Sequence, residues 1–201
     1  MKKLAFLSLC FIVILTLTDT IHAQSIKFGV NAGLTDITGP SDYTNSIAEG
    51  GGGFGANFNF GAQARFNLPL VPLTPIIFVD YHMLRASGSY AGYSVSTSQN
   101  IFSVGAEAEY NVLPLPLIKP YVSIEVAYNN LGDYKMDING SSITQGGVSR
   151  FGGAVGIGSV FTVLPVIDLD VSLKYNIFNL VGKSSGESNI SAVMLDAAII
   201  F

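Results

Sequence analysis

Apolar and polar positions alternate with a period of two along most of the chain. At the C-terminus Val193, Leu195, Ala197, Ile199 and Phe201 fall on one face, and Met194, Asp196, Ala198 and Ile200 on the other. Between 101 and 112, Phe102, Val104, Ala106, Ala108, Tyr110 and Val112 oppose Ser103, Gly105, Glu107, Glu109 and Asn111. Between 167 and 177, Ile167, Leu169, Val171, Leu173, Tyr175 and Ile177 oppose Asp168, Asp170, Ser172, Lys174 and Asn176. Segment 54–67 sets Phe54, Ala56, Phe58, Phe60, Ala62, Ala64 and Phe66 against Asn57, Asn59, Gly61, Gln63 and Arg65. Strict alternation is the signature of a strand with two unlike faces, and no stripe at helical spacing competes with it.

Proline and glycine divide this pattern into hairpins. Leu-Pro stretches at 68–75, 113–120 and 164–166 lack ladder donors and are expected to separate strands. Polar, Gly- and Ser-rich patches lie at 38–53, 87–99, 132–147 and 182–189. Three apolar turns alternating with four polar loops predict eight strands, over 25–36, 54–67, 76–86, 99–112, 121–131, 150–163, 167–181 and 190–201. A membrane-spanning strand needs about 9–11 residues at a steep tilt, and every segment is long enough. Short turns at one end and long polar loops at the other predict an eight-stranded antiparallel up-and-down transmembrane β-barrel.

A soluble, lipocalin-like barrel has the same alternation with its faces reversed. The side chains favour the membrane arrangement. One face repeats bulky groups such as Phe58, Phe60, Phe66, Val79, Tyr81, Val122, Ile124, Tyr128, Phe151 and Phe161, whereas the other carries glycines, small polar residues and charges. Eight strands enclose only enough room for side chains, so the small, charged face fits inside. Lys27, Arg65, Asp80, His82, Glu107, Glu109, Glu125, Asp170, Lys174 and Asp196 are expected to form an interior polar network. Tyr81, Tyr110, Tyr128 and Tyr175 suit an interfacial girdle. Composition agrees: 49% of the chain is hydrophobic and only 12% charged, with 22 glycines.

The N-terminus has the layout of a secretory signal: Lys2 and Lys3, an apolar run over 4–18, then a polar stretch ending at Ala23. The run is shorter than the roughly 20 residues a single-span anchor needs. Cleavage after Ala23 predicts a signal peptide at 1–23 and one barrel domain at 24–201. The 178 remaining residues hold eight basic and thirteen acidic side chains and no cysteine, because Cys10 belongs to the apolar run. That acidic balance gives no reason to expect a nucleic-acid partner. One histidine and no thiol argue against a transition-metal site, and no cofactor is expected.

With this signal, strand count, loop asymmetry and last strand, the chain resembles the small outer-membrane β-barrel family that includes OmpX-like proteins and the barrel domain of OmpA-like proteins. The likeness spans almost all of 24–201. It implies a Gram-negative outer-membrane location in lipid and lipopolysaccharide. It also implies that Phe201, Ile199, Ala197 and Leu195, with Val193, form the C-terminal signal read by the barrel-assembly machinery. The first two inner turns are longer than in close relatives, and the lack of a domain after Phe201 carries no expectation of peptidoglycan binding.

Enzyme chemistry has two weak starting points. His82 and Asp80 share a predicted inward face and, with a loop serine, have the residue types of a hydrolase. Glu107 and Glu109 share a face as an acid–base pair does. An interior hydrogen-bond and ion-pair network accounts for all four more simply. Asp133 and Asp137 lack the spacing of a calcium loop. The glycines at 152, 153, 156 and 158 precede no helix and are expected to be small inward residues of the barrel wall. The expected function is therefore non-enzymatic: a structural or surface-interaction role through outer loops carrying Tyr43, Tyr90, Tyr93 and Tyr134. The alternatives are a narrow pore, a membrane-embedded enzyme acting on lipid or peptide, and a soluble ligand carrier.

Overall fold

A computed structural model describes residues 25–68, 71–113, 115 and 117–201. The expected signal peptide, and Cys10 with it, lies outside these residues. Among the described residues there are ten strands: β1 (Ser25–Gly39), β2 (Ala56–Asn67), β3 (Leu73–Tyr90), β4 (Tyr93–Asn111), β5 (Ile118–Leu131), β6 (Tyr134–Ile138), β7 (Ser141–Gln145), β8 (Val148–Leu164), β9 (Ile167–Val181) and β10 (Ser191–Ile200). Eight of them, β1 to β5 and β8 to β10, form a ring in which every neighbour is antiparallel. Pairing of β1 with β10 closes the ring, and Phe201 extends the seam by exchanging backbone hydrogen bonds with Phe28 at 3.0 and 2.8 Å. Closure leaves no barrel edge for another chain to pair with.

The pleat decides the rest. On β10, Val193, Leu195, Ala197 and Ile199 face outward, while Met194, Asp196, Ala198 and Ile200 are buried inside. Phe58 is 67% exposed, Ile124 62% and Val126 64%, whereas Glu107 and Glu125 are each 5% exposed. In water such a continuous apolar belt, far larger than the few hundred Å² a soluble monomer tolerates, is untenable. In lipid it is the stable face, and the soluble-carrier arrangement is excluded. Aromatic rings mark both borders of the belt. Towards the outer loops Phe60 packs on Tyr81 at 5.6 Å and Tyr128 on Phe151 at 5.3 Å. At the other end stand Phe28, Tyr110 and Phe201, all exposed. Such girdles suit rings with one apolar and one wet side.

The loop end is more ordered than the sequence pattern implies. The patch at 87–99 is not a loop: β3 and β4 run on to a tight turn at Ala91 and Gly92, both with positive φ. The patch at 132–147 folds into the β6–β7 hairpin, turned at Asn139-Gly140, and β6 pairs with β4. Left-handed central residues match the strand twist, which is why Asn-Gly serves there. The first loop carries a short helix α1 (Ser41–Thr44) and a 3-10 turn over Ile47–Glu49.

Two prolines and one aromatic depart from expectation. Pro75 and Pro120 lie within β3 and β5, not in turns. Each sits just beyond the last residue paired with one neighbour, Ile76 with β2 and Tyr121 with β4, so the missing N–H falls where that ladder has ended. Phe54 precedes β2 and is 2% exposed, packed in the barrel mouth and not on the lipid face.

Candidate functional site

The strands bring the ten ionisable residues singled out above to the inner face of the barrel, where, among the described residues, seven enter ion pairs and Asp80, His82 and Asp196 make none. Arg65 of β2 donates to both carboxylate oxygens of Glu109 on β4, and also to Asp170 of β9 at 3.0 Å. Tyr121 of β5 donates to the other Asp170 oxygen at 2.9 Å. Lys174 of β9 bridges Glu107 at 2.6 Å and Glu125 at 3.1 Å. Its ammonium also stands 5.8 Å from the centre of the Phe78 ring. Lys27 pairs with Asp168 at 2.6 Å near the turn end, and Asn31 donates to Asp80 at 2.9 Å. Buried charges persist when they are paired and hydrogen-bonded, and the antiparallel register supplies those partners from strands far apart in sequence.

Glycines opposite these groups make the room. A Cβ at Gly158 would stand 2.4 Å from the Tyr121 ring, and one at Gly156 2.8 Å from the Lys174 stem. Gly152 is buried on the inner side as well, whereas Gly153 lies beside the exposed Leu180 on the outer face, contrary to the inward reading.

His82 and Asp80 do not form a dyad. His82 Nδ1 hydrogen-bonds Thr35 Oγ1 at 2.9 Å, Asn59 donates to the same hydroxyl, and the His82 ring packs edge-on against Phe178. Glu107 and Glu109 are likewise drawn to different cations, Lys174 and Arg65. Neither pair is arranged for acid–base work.

Three zones follow one another along the lumen. At the turn end a cavity of about 700 Å³ is lined by Lys27, Arg65, Lys119 and Asp168 together with apolar side chains. In the middle, between Asp80, Glu107, Lys174 and Asp196, lies a pocket of only about 30 Å³, room for about two waters. Above it the inward positions turn apolar: Ile37, Leu84, Ile101, Leu131, Phe178, Ala192 and Met194 pack together with Phe54 and Ile190. The inner face is thus not polar throughout. Toward the loops it carries a hydrophobic plug, with His82 and Asn129 set against it at Phe178.

Over the plug lies a cleft of about 620 Å³ between the first loop, the β6–β7 hairpin and the last loop. Its floor includes Tyr43, Tyr134, Leu131 and Ile190. Tyr43, Tyr134 and Phe54 form an aromatic cluster with centroids 5.7 to 6.2 Å apart. Burial raises both tyrosine pKa values, so the hydroxyls stay protonated at neutral pH. Arg150 grips Glu187 with contacts of 2.7 to 3.2 Å, and Asn179 donates to Glu187 and to Ser188 O while accepting from Ile190 N. The Arg150 hydrogen bond holds the Glu187 carboxyl down at about 2. Sequence reasoning missed this clamp: Arg150 and Glu187 lie 37 residues apart, and no local spacing connects them. Of the four loop tyrosines, Tyr43 and Tyr134 line the cleft, whereas Tyr90 and Tyr93 are exposed at the hairpin tip.

No family model matches the sequence, and no curated protein matches it. Solved structures do. Neisserial surface protein A is similar with a TM-score of 0.61 and 20% identity, covering 89% of this chain and 98% of that one. A major outer membrane protein from Thermus thermophilus is similar with a TM-score of 0.56 and 15% identity, covering 88% and 100%. At these identities the likeness is one of fold. The chain has the fold of the small eight-stranded outer-membrane β-barrels, the OmpA and OmpX type. Its lipid-facing belt is the one such barrels require, and among the described residues no helix is long and apolar enough to cross a membrane.

Proposed function

We propose that the chain is a non-enzymatic surface protein of the outer membrane that acts through its outer end, where the loops are built into a binding cleft. One observation carries this reading: the lumen is blocked twice, by the ion-paired layer and by the apolar plug, while the cleft above is open and held in place by the Arg150–Glu187 clamp. A pore needs a continuous wetted path, and eight strands leave no room for one once the interior is filled. Exposed Arg85, Lys135 and Lys183 at the loop end supply cations for lipopolysaccharide phosphates. The C-terminal residues Leu195, Ala197, Ile199 and Phe201, outward-facing on the closing strand, serve as the handle for the barrel-assembly machinery.

Planar-bilayer recording of the purified, folded protein tests the blocked lumen. The expected result is a flat baseline with no steady unitary current. Reproducible, long-lived conductance steps would replace this reading with that of a pore.

A further inference from the structure

The cleft has the chemistry of a carbohydrate site, and we propose that it binds a neutral oligosaccharide; this rests on the surface-binding reading above and names its ligand class. The volume, about 620 Å³, falls within the range of about 300–1,000 Å³ typical of small-ligand sites, enough for a few sugar rings. The Tyr43 and Tyr134 rings, 6.2 Å apart and inclined at 56°, give the floor an angled aromatic surface against which pyranose C–H groups can pack. Around them stand groups able to pair with ring hydroxyls. Among the described residues the Asp42 carboxylate and the Gln145 amide make no side-chain hydrogen bond within the protein. The hydroxyls of Ser185 and Ser188 lie on the facing wall.

Charge narrows the ligand further. Arg150 and Glu187 neutralise one another, which leaves Asp42 as the unpaired charge of the lining. A sulfated or phosphorylated chain seated on that lining would meet a carboxylate, with the exposed Lys135 and Lys183 standing outside it, so the cleft favours an uncharged polymer. The walls are also preformed. The last loop is clamped by Arg150, Glu187 and Asn179, and the hairpin wall is paired to β4, so little ordering entropy is lost on binding.

The test is saturation-transfer NMR on the full chain in phospholipid nanodiscs. The probes are a panel of neutral trisaccharides built from hexose or N-acetylhexosamine, a sulfated trisaccharide, and choline. The expected result is saturation of at least one neutral trisaccharide at its ring protons. Binding should weaken about tenfold in Asp42→Ala and in Gln145→Ala, the effect of losing a hydrogen bond to ligand. Both side chains are solvent-facing, and unchanged heat-modifiable migration of the variants certifies the barrel. Tyr134→Ala should abolish the signal. Saturation of choline or of the sulfated sugar alone, lost in the same variants, overturns the neutral-sugar assignment and leaves the surface-binding reading intact. No saturation by any neutral probe overturns the proposal outright, while the bilayer recording judges the broader reading separately.

Discussion

Gly61 and Asp80 are cross-strand partners on the inner face of β2 and β3, and the Asp80 carboxylate occupies the space a side chain at 61 would need. A Cβ built on Gly61 would stand 1.9 Å from Asp80 Oδ1 and 2.3 Å from the Val79 carbonyl oxygen. Gly33 and Asp196 repeat the relationship on β1 and β10, at 2.1 Å. At these two positions the carboxylate fits because the facing strand gives up its side chain.

Gly61→Ala is therefore expected to destabilise the barrel by about 1–3 kcal/mol, the usual cost of overpacking. The double variant with Asp80→Ala should recover part of that loss and not all, because the Val79 carbonyl stays close. Thermal midpoints from heat-modifiability gels measure this. Equal stability of the single variant and the parent would contradict the packing account.

Arg65 holds Glu109 and Asp170 together, and removing it strands two buried carboxylates. Arg65→Met is expected to cost about 3–5 kcal/mol, as for other broken buried pairs. Adding Glu109→Gln and Asp170→Asn should return much of the loss, since neutral groups are cheaper to bury. The same midpoints apply, and a triple variant no more stable than the single one would show that packing around the Arg65 stem matters more than its charge.

The barrel was legible from the chain because one rule, alternation, acts on every strand and each hairpin is punctuated by proline or glycine. Strand count and lipid face could thus be read directly from runs such as 101–112. The β6–β7 hairpin was also present in the pattern, since Tyr134, Met136 and Ile138 alternate with Lys135 and Asp137 before Asn139-Gly140. Polar composition hid it. The plug was not legible: Ile37, Leu84, Ile101 and Phe178 come from four strands, and only closure of the ring brings them together. The cleft depends on the same kind of distant pairing, with Arg150 and Glu187 joined across a loop.

That clamp has a pH limit. The Glu187 carboxyl is lowered to about 2 by Arg150, below its ordinary value of about 4.3. A depressed carboxyl stabilises the folded loop above its unfolded pKa and loses that contribution as pH falls through the folded one. Residues 182–190 should stay ordered at neutral pH and loosen between about pH 4.3 and about pH 2. Amide line widths and peak positions by NMR across this range, with Glu187→Gln as the reference, report it. A loop whose spectrum is the same at pH 7 and pH 2, or unaltered by the substitution, would show that other contacts hold it.

Phe201 caps the closing seam while its ring, 59% exposed, faces outward. Deleting it should sharply lower the amount of folded protein in the outer membrane, yet leave detergent refolding of the purified chain nearly unaffected. Comparison of surface levels with refolding yield separates recognition by assembly factors from stability. Equal losses in both would assign Phe201 a packing role alone.

The central claim is that the wall has a lipid side and a lumen side set by alternate residues. Methyl NOEs to lipid acyl chains, measured on the protein in nanodiscs, test it most directly. Val30, Ile124, Leu195 and Ile199 should show strong cross-peaks to the chains, and Ile76, Leu84 and Ile101 none. The reverse pattern, with lipid contacts at Leu84 and Ile101 and silence at Ile124 and Leu195, would contradict the account.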